Sequence, residues 1–139
     1  MKTKSHQPWG GNKMENNKRY DAGIDTMEEM FPEETLNEMK RMKEMSPDLW
    51  DMIVSFGFGG LYTRDALPLK RRQIATLSSL ITQGAFEQLE VHLRAALKIG
   101  LTQKEIVEII IHLTGYAGFP KAVQAMQMAD RIFNEQDEG

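Results

Sequence analysis

The sequence predicts an all-α protein, a single-domain helical bundle of about seven short helices. Three observations predict it. Apolar residues recur at three- and four-residue spacing from Tyr20 to Asn134, and no segment alternates with a period of two between turn signals. Helix start and stop residues also punctuate the chain at short intervals. The run Ile109-Ile110-Ile111 favours a strand by propensity, but the capping box Thr102-Gln103-Lys104-Glu105 ahead of it favours a helix.

Each element follows from local signals. Ile24, Met27, Met30 and Phe31 form the stripe of a first helix that Pro32 stops. Leu36, Met39 and Met42 continue in a second, charged helix to about Met45. Ser46-Pro47-Asp48 supplies an N-cap serine and a proline at the first helical position. The third helix then carries Leu49, Trp50, Ile53, Val54 and Phe56, and is expected to end in the cluster Gly57, Gly59 and Gly60. A fourth helix follows Pro68, from about Leu69 to Thr82, with Ile74, Leu77 and Ile81 on its inner face and Gly84 as its breaker. The fifth, about Ala85 to Ile99, aligns Phe86, Leu89, Leu93 and Ala96, with Gly100 at C′. The sixth opens at the capping box and carries Ile106, Ile109, Ile110 and Leu113. Gly115, Gly118 and Pro120 turn the chain into a last helix to about Asn134.

Residues 1–18 are polar, with only Trp9 and Met14 as sizeable apolar groups, and read as a disordered tail or a leftover of cloning. The folded domain is expected over 19–136. Net charge is −3 overall, but residues 1–20 hold five basic side chains and one acid, which leaves −7 for the rest. An acidic body of this kind argues against a nucleic-acid partner. Stretches without Asp, Glu, Lys or Arg, such as Gln73–Phe86 and Ile109–Pro120, are shorter than the roughly 20 residues a membrane span needs. With no apolar signal segment at the start, the expectation is a cytoplasmic protein without a membrane partner. Cysteine is absent, which excludes disulfides, thiolate metal sites and thiol-based catalysis.

Candidate chemistry centres on two histidines. His92 stands four residues after Gln88 and five after Glu87, at the margin of an apolar stripe beside Ala95 and Ala96. Such an imidazole suits a pocket wall and acid–base work near neutral pH, although a core-edge histidine bonded to a carbonyl is the commoner arrangement. His112 lies one helical turn before Tyr116, and a structural role is the simpler reading. No HxxxH or HExxH spacing occurs, so no metal site is expected. Arg64, Arg71 and Arg72 flank the start of the fourth helix, where guanidinium groups would attract a carboxylate. Arg72, next to the apolar stripe, is expected to point inward, while pairing with surface acids is the alternative.

Several motifs in order carry a resemblance. Leu69-Lys70-Arg71-Arg72, Glu87-Gln88-Leu89 with His92, Ala95-Ala96-Leu97, Gly100-Leu101-Thr102 and Glu105-Ile106 with Glu108 are followed by Tyr116-Ala117-Gly118-Phe119-Pro120 with Ala122 and Ala125. Together, from about Pro47 to Phe133 and with Tyr62 and Arg64 fitting as well, they resemble the carboxymuconolactone decarboxylase family. The resemblance implies an alkylhydroperoxidase D-like helical fold in a ring-shaped homo-oligomer, a hexamer or a trimer. It implies loss of CO2 from 4-carboxymuconolactone or a related carboxylated lactone, in the β-ketoadipate branch of aromatic catabolism, with no metal or organic cofactor. On that reading His92 donates a proton and Glu87 or Gln88 orients it. Arg72, with Arg64 as second choice, holds a substrate carboxylate, and Tyr116 and His112 complete the binding groups.

Two departures matter. Peroxidase relatives carry a Cys-x-x-Cys pair seven and four residues before the histidine, where this chain has Ala85 and Gln88, so thiol peroxidase chemistry is not expected. Gln73 stands where many relatives carry glutamate, which removes a carboxylate able to relay protons. Another acid–base reaction on a small carboxylated substrate, and a non-enzymatic oligomeric binding protein, therefore remain as alternatives.

Overall fold

The protein, described here by a computed structural model over residues 13–138, has only helical regular structure among those residues. The elements are α1 (Lys13–Met30), α2 (Glu33–Met39), α3 (Arg41–Met45), α4 (Pro47–Asp51) and a π-helix (Met52–Leu61). After them come α5 (Leu69–Gln83), α6 (Phe86–Lys98), α7 (Gln103–Ala117) and α8 (Phe119–Glu138). These correspond to the seven predicted segments, two of which are subdivided. Within the segment expected to be one domain, contacts define two compact units: residues 13–29 with 33–66, and residues 30–32 with 67–138.

In the first unit, α1 begins earlier than the sequence suggests. Of the segment read as a tail, residues 1–12 lie outside the described residues, and 13–18 are the opening turns of α1. The stretch shows no apolar stripe because a polar pair holds it instead: buried Asn16 donates from Nδ2 to Asp51 Oδ2 at 3.5 Å. Trp50, 3% exposed, donates from Nε1 to the Tyr20 hydroxyl at 3.0 Å. Ser46 caps α4 by accepting from the Leu49 amide, with Pro47 behind it.

The glycine cluster does not end the third segment. The chain runs through it to Leu61 as a π-helix, whose last bond is Tyr62 N–H to the Gly57 carbonyl at 3.2 Å. The wider turn changes which side chains face inward. In the π-helix Val54, Ser55, Phe58 and Gly59 are buried and Phe56 is exposed; ahead of it, in α4, Trp50 is buried and Leu49 exposed. The glycines serve close approach rather than termination. A Cβ on Gly59 would overlap the Arg19 carbonyl of α1, and one on Gly23 of α1 would overlap the Val54 carbonyl. Each helix thus sets a glycine against the other's backbone.

The second unit is built from α5 to α8. Its core joins Leu77 and Ile81 of α5, Leu89, Leu93 and Ala96 of α6, Ile106, Ile110 and Leu113 of α7, and Ala122, Ala125, Ala129 and Ile132 of α8. The four stripes face one another, and the small alanines of α8 let it approach closely. Gly84 ends α5 at φ 72°, and Gly100 follows α6 at φ 105°. At the second corner Gly100 N–H bonds the Leu97 carbonyl and Leu101 N–H the Ala96 carbonyl, while Leu101 is buried. This is a Schellman ending, which needs the positive φ that glycine adopts without strain. Thr102 and Glu105 form the capping box of α7.

Candidate functional site

The site grows from the α5–α6 pair of the second unit. On α5, Gln73, Leu77 and Ile81 share one buried face at four-residue spacing, so the first position of a hydrophobic stripe is an amide. On α6, His92 follows Leu89 by three residues and precedes Ala96 by four, which turns its ring toward that face. The antiparallel pair brings the two together. Gln73, fully buried, has its Nε2 3.1 Å from His92 Nδ1 and donates to the His92 carbonyl at 3.0 Å.

That second bond decides the protonation pattern. A carbonyl oxygen only accepts, so the edge of Gln73 facing it must be the NH2 group. The same NH2 then faces Nδ1, which must offer its lone pair. The proton of neutral His92 therefore resides on Nε2, and no hydrogen bond among the described residues uses that nitrogen. Phe31, 1% exposed, meets the imidazole in a T-shaped contact with ring centroids 5.6 Å apart. Burial, with no charged partner contributing, pushes the His92 pKa down to about 4. An imidazole titrating near neutrality, as the sequence suggests, is thus corrected to one that is neutral at pH 7. Gln73 Oε1 is buried with no hydrogen-bond partner among the described residues.

The other expected residues lie as follows. Glu87 and Gln88 are exposed on the first turn of α6, and the side chain that hydrogen-bonds His92 is that of Gln73. The physical reason is the direction of the helix face: His92 turns toward α5, and Glu87 and Gln88 turn to solvent. Arg72 is half-buried and its Nη2 reaches the Leu67 carbonyl at 3.4 Å, while Arg71 is exposed. Arg64 belongs to the first unit and is exposed in the turn after the π-helix. His112 and Tyr116 do share one face of α7, with ring centroids 5.3 Å apart, and both are exposed. Among the described residues no group of three His, Asp or Glu side chains is placed to hold a metal ion. The same residues contain no helix long and apolar enough to cross a membrane. Sequence reasoning missed Gln73 as a partner and Phe31 as a wall; the signal for Gln73 was a polar residue in register with Leu77 and Ile81.

Residues 47–131 match the carboxymuconolactone decarboxylase family. The chain belongs to that family. It is 31% identical over 123 residues to 4-carboxymuconolactone decarboxylase of Acinetobacter baylyi, covering 88% of this chain and 92% of the relative. It is 27% identical over 117 residues to nitrosuccinic acid decarboxylase of Metarhizium robertsii, covering 84% and 82%. A 15.0 kDa protein of Paracoccus denitrificans is 30% identical over 103 residues, covering 73% and 77%. Two relatives named as decarboxylases support a decarboxylase-like enzyme at the level of the family. The carboxymuconolactone decarboxylase match includes both Gln73 and His92.

Proposed function

We propose that the protein is a cofactor-independent decarboxylase of 4-carboxymuconolactone or a related carboxylated lactone. The observation that carries this reading is the half-buried, neutral His92, with one N–H directed by Gln73, within a chain similar along most of its length to a 4-carboxymuconolactone decarboxylase. In this reaction the bond to the departing carboxylate breaks and leaves its electron pair on carbon. The pair delocalises through the ring double bond onto the lactone carbonyl oxygen. An N–H donor aimed at that oxygen lowers the barrier, because the charge it meets is larger in the transition state than in the substrate. His92 supplies this donor from Nε2. A proton from water then completes the product at carbon. His92 acts as a hydrogen-bond donor here rather than as an imidazolium acid, which its low pKa makes scarce at pH 7.

Arg72, in the same unit as His92, is proposed to hold a substrate carboxylate through charge and paired donors. Tyr116 and His112 are proposed as further binding groups. The working form is proposed to be a cytoplasmic homo-oligomer, a hexamer or a trimer. A second substrate reading is favoured by the similarity to nitrosuccinic acid decarboxylase. Both named substrates are carboxylates that carry an electron-withdrawing group, so the same donor would suit either. Purified protein mixed with 4-carboxymuconolactone and followed by ultraviolet absorbance tests the proposal. Loss of the substrate band with release of CO2 is expected. Turnover of nitrosuccinate alone would move the assignment to that substrate, and turnover of neither would favour a binding protein.

A further inference from the structure

Gln73 is the one fully buried polar side chain of α5, and its amide spends both N–H bonds on a single residue nineteen positions away. Such an arrangement does more than fill space. Turning the amide over would set Oε1 against the His92 carbonyl with no proton between two acceptors, so the backbone of α6 fixes the amide and the amide fixes the ring. We propose that Gln73 is a positioning residue that locks His92 as the Nε2–H tautomer, so that the group offered to an anionic, carboxylated ligand is an uncharged N–H donor. The part of this inference that concerns the ligand rests on the decarboxylase reading; the lock itself does not.

The choice of an amide has a chemical consequence. A carboxylate at position 73 would have to accept from Nδ1, which moves the proton to that nitrogen and strips Nε2 of its donor unless the ring becomes a cation. It would also bring a negative charge beside the place where a carboxylated ligand and a developing oxyanion must sit. The amide avoids both. Phe31 closes another side of the ring with hydrocarbon, so the lock works in a site of low polarity where one oriented donor has a large effect.

The test is 15N NMR of the imidazole nitrogens in the full chain at pH 7, with the His92 signals assigned by their loss in His92→Gln. The lock predicts a pyridine-type Nδ1 and a pyrrole-type Nε2, with no averaging between tautomers. The reverse pattern, averaged signals or an imidazolium would overturn it. Gln73→Glu is expected to move the proton to Nδ1. Gln73→Met, close in shape and able to fold without burying a charge, is expected to give averaged signals. Retention of the wild-type pattern in Gln73→Met would show that Gln73 does not set the tautomer. A locked ring in a protein that does not turn over the lactone would remove the proposed function and leave the lock standing. Turnover with averaged signals would do the opposite.

Discussion

Protonating His92 costs the folded chain what it does not cost the unfolded one, because the charged ring would lose its solvent and its bond from Gln73. The folded pKa of about 4 lies below the ordinary 6.5, so between these values the unfolded chain binds more protons. The stability that comes from keeping His92 neutral is complete above pH 6.5, declines as the pH falls, and is gone by about pH 4. Two and a half pKa units correspond to at most roughly 3 kcal/mol. Urea unfolding at pH 7.5 and pH 4.5 checks this: the drop in midpoint should shrink clearly in His92→Gln and persist in His112→Gln. Arg72→Gln, which removes charge and paired donors, should raise KM for the lactone about tenfold or more with a smaller change in kcat. The place of His92 on the helix was legible because it stands at the margin of an apolar stripe beside Ala95 and Ala96. Its partner was not, because periodicity places a residue on a face and says nothing about which residue of another helix meets it. Glu87 and Gln88 were therefore the natural candidates, and the fold turns them to solvent.

Helices whose ends are marked by chemistry were readable from sequence. Ser46-Pro47, the Thr102–Glu105 box, and Gly84 and Gly100 all do in the structure what their local chemistry dictates. The π-helix was not readable. Gly57, Gly59 and Gly60 are ordinary stop signals, and only the crossing with α1 gives two of the chain's glycines, Gly23 and Gly59, another use. This makes a sharp distinction between glycines that look alike in sequence. Gly59→Ala and Gly23→Ala each push a methyl into a backbone carbonyl and should destabilise by about 2 kcal/mol or more. Gly57→Ala meets nothing within 4 Å and should be neutral or slightly stabilising. Chemical denaturation of the three variants measures the difference directly, and equal effects would count against the close crossing. The early start of α1 escaped for a similar reason: Asn16 and Asp51 join two polar residues, and hydrophobic pattern does not register them.

At the scale of the molecule, the helical class and the family were both legible, since they rest on summed patterns along the chain. What covers the apolar surface was not. Tyr116, Phe119 and Val123, at the α7–α8 corner, are all about half or more exposed, an arrangement suited to contact between copies in the proposed ring. Light scattering should give a mass of six or three chains, and Phe119→Ser should lower it. The reaction assigned to His92 is the centre of the account, and the most direct measurement is decarboxylation of 4-carboxymuconolactone by the wild-type protein and by His92→Gln, side by side at pH 7. The wild type should release CO2, and the variant, still folded, should lose about 100- to 1,000-fold in kcat, as expected when one oriented donor to an oxyanion is removed. A variant that keeps the wild-type rate would contradict it.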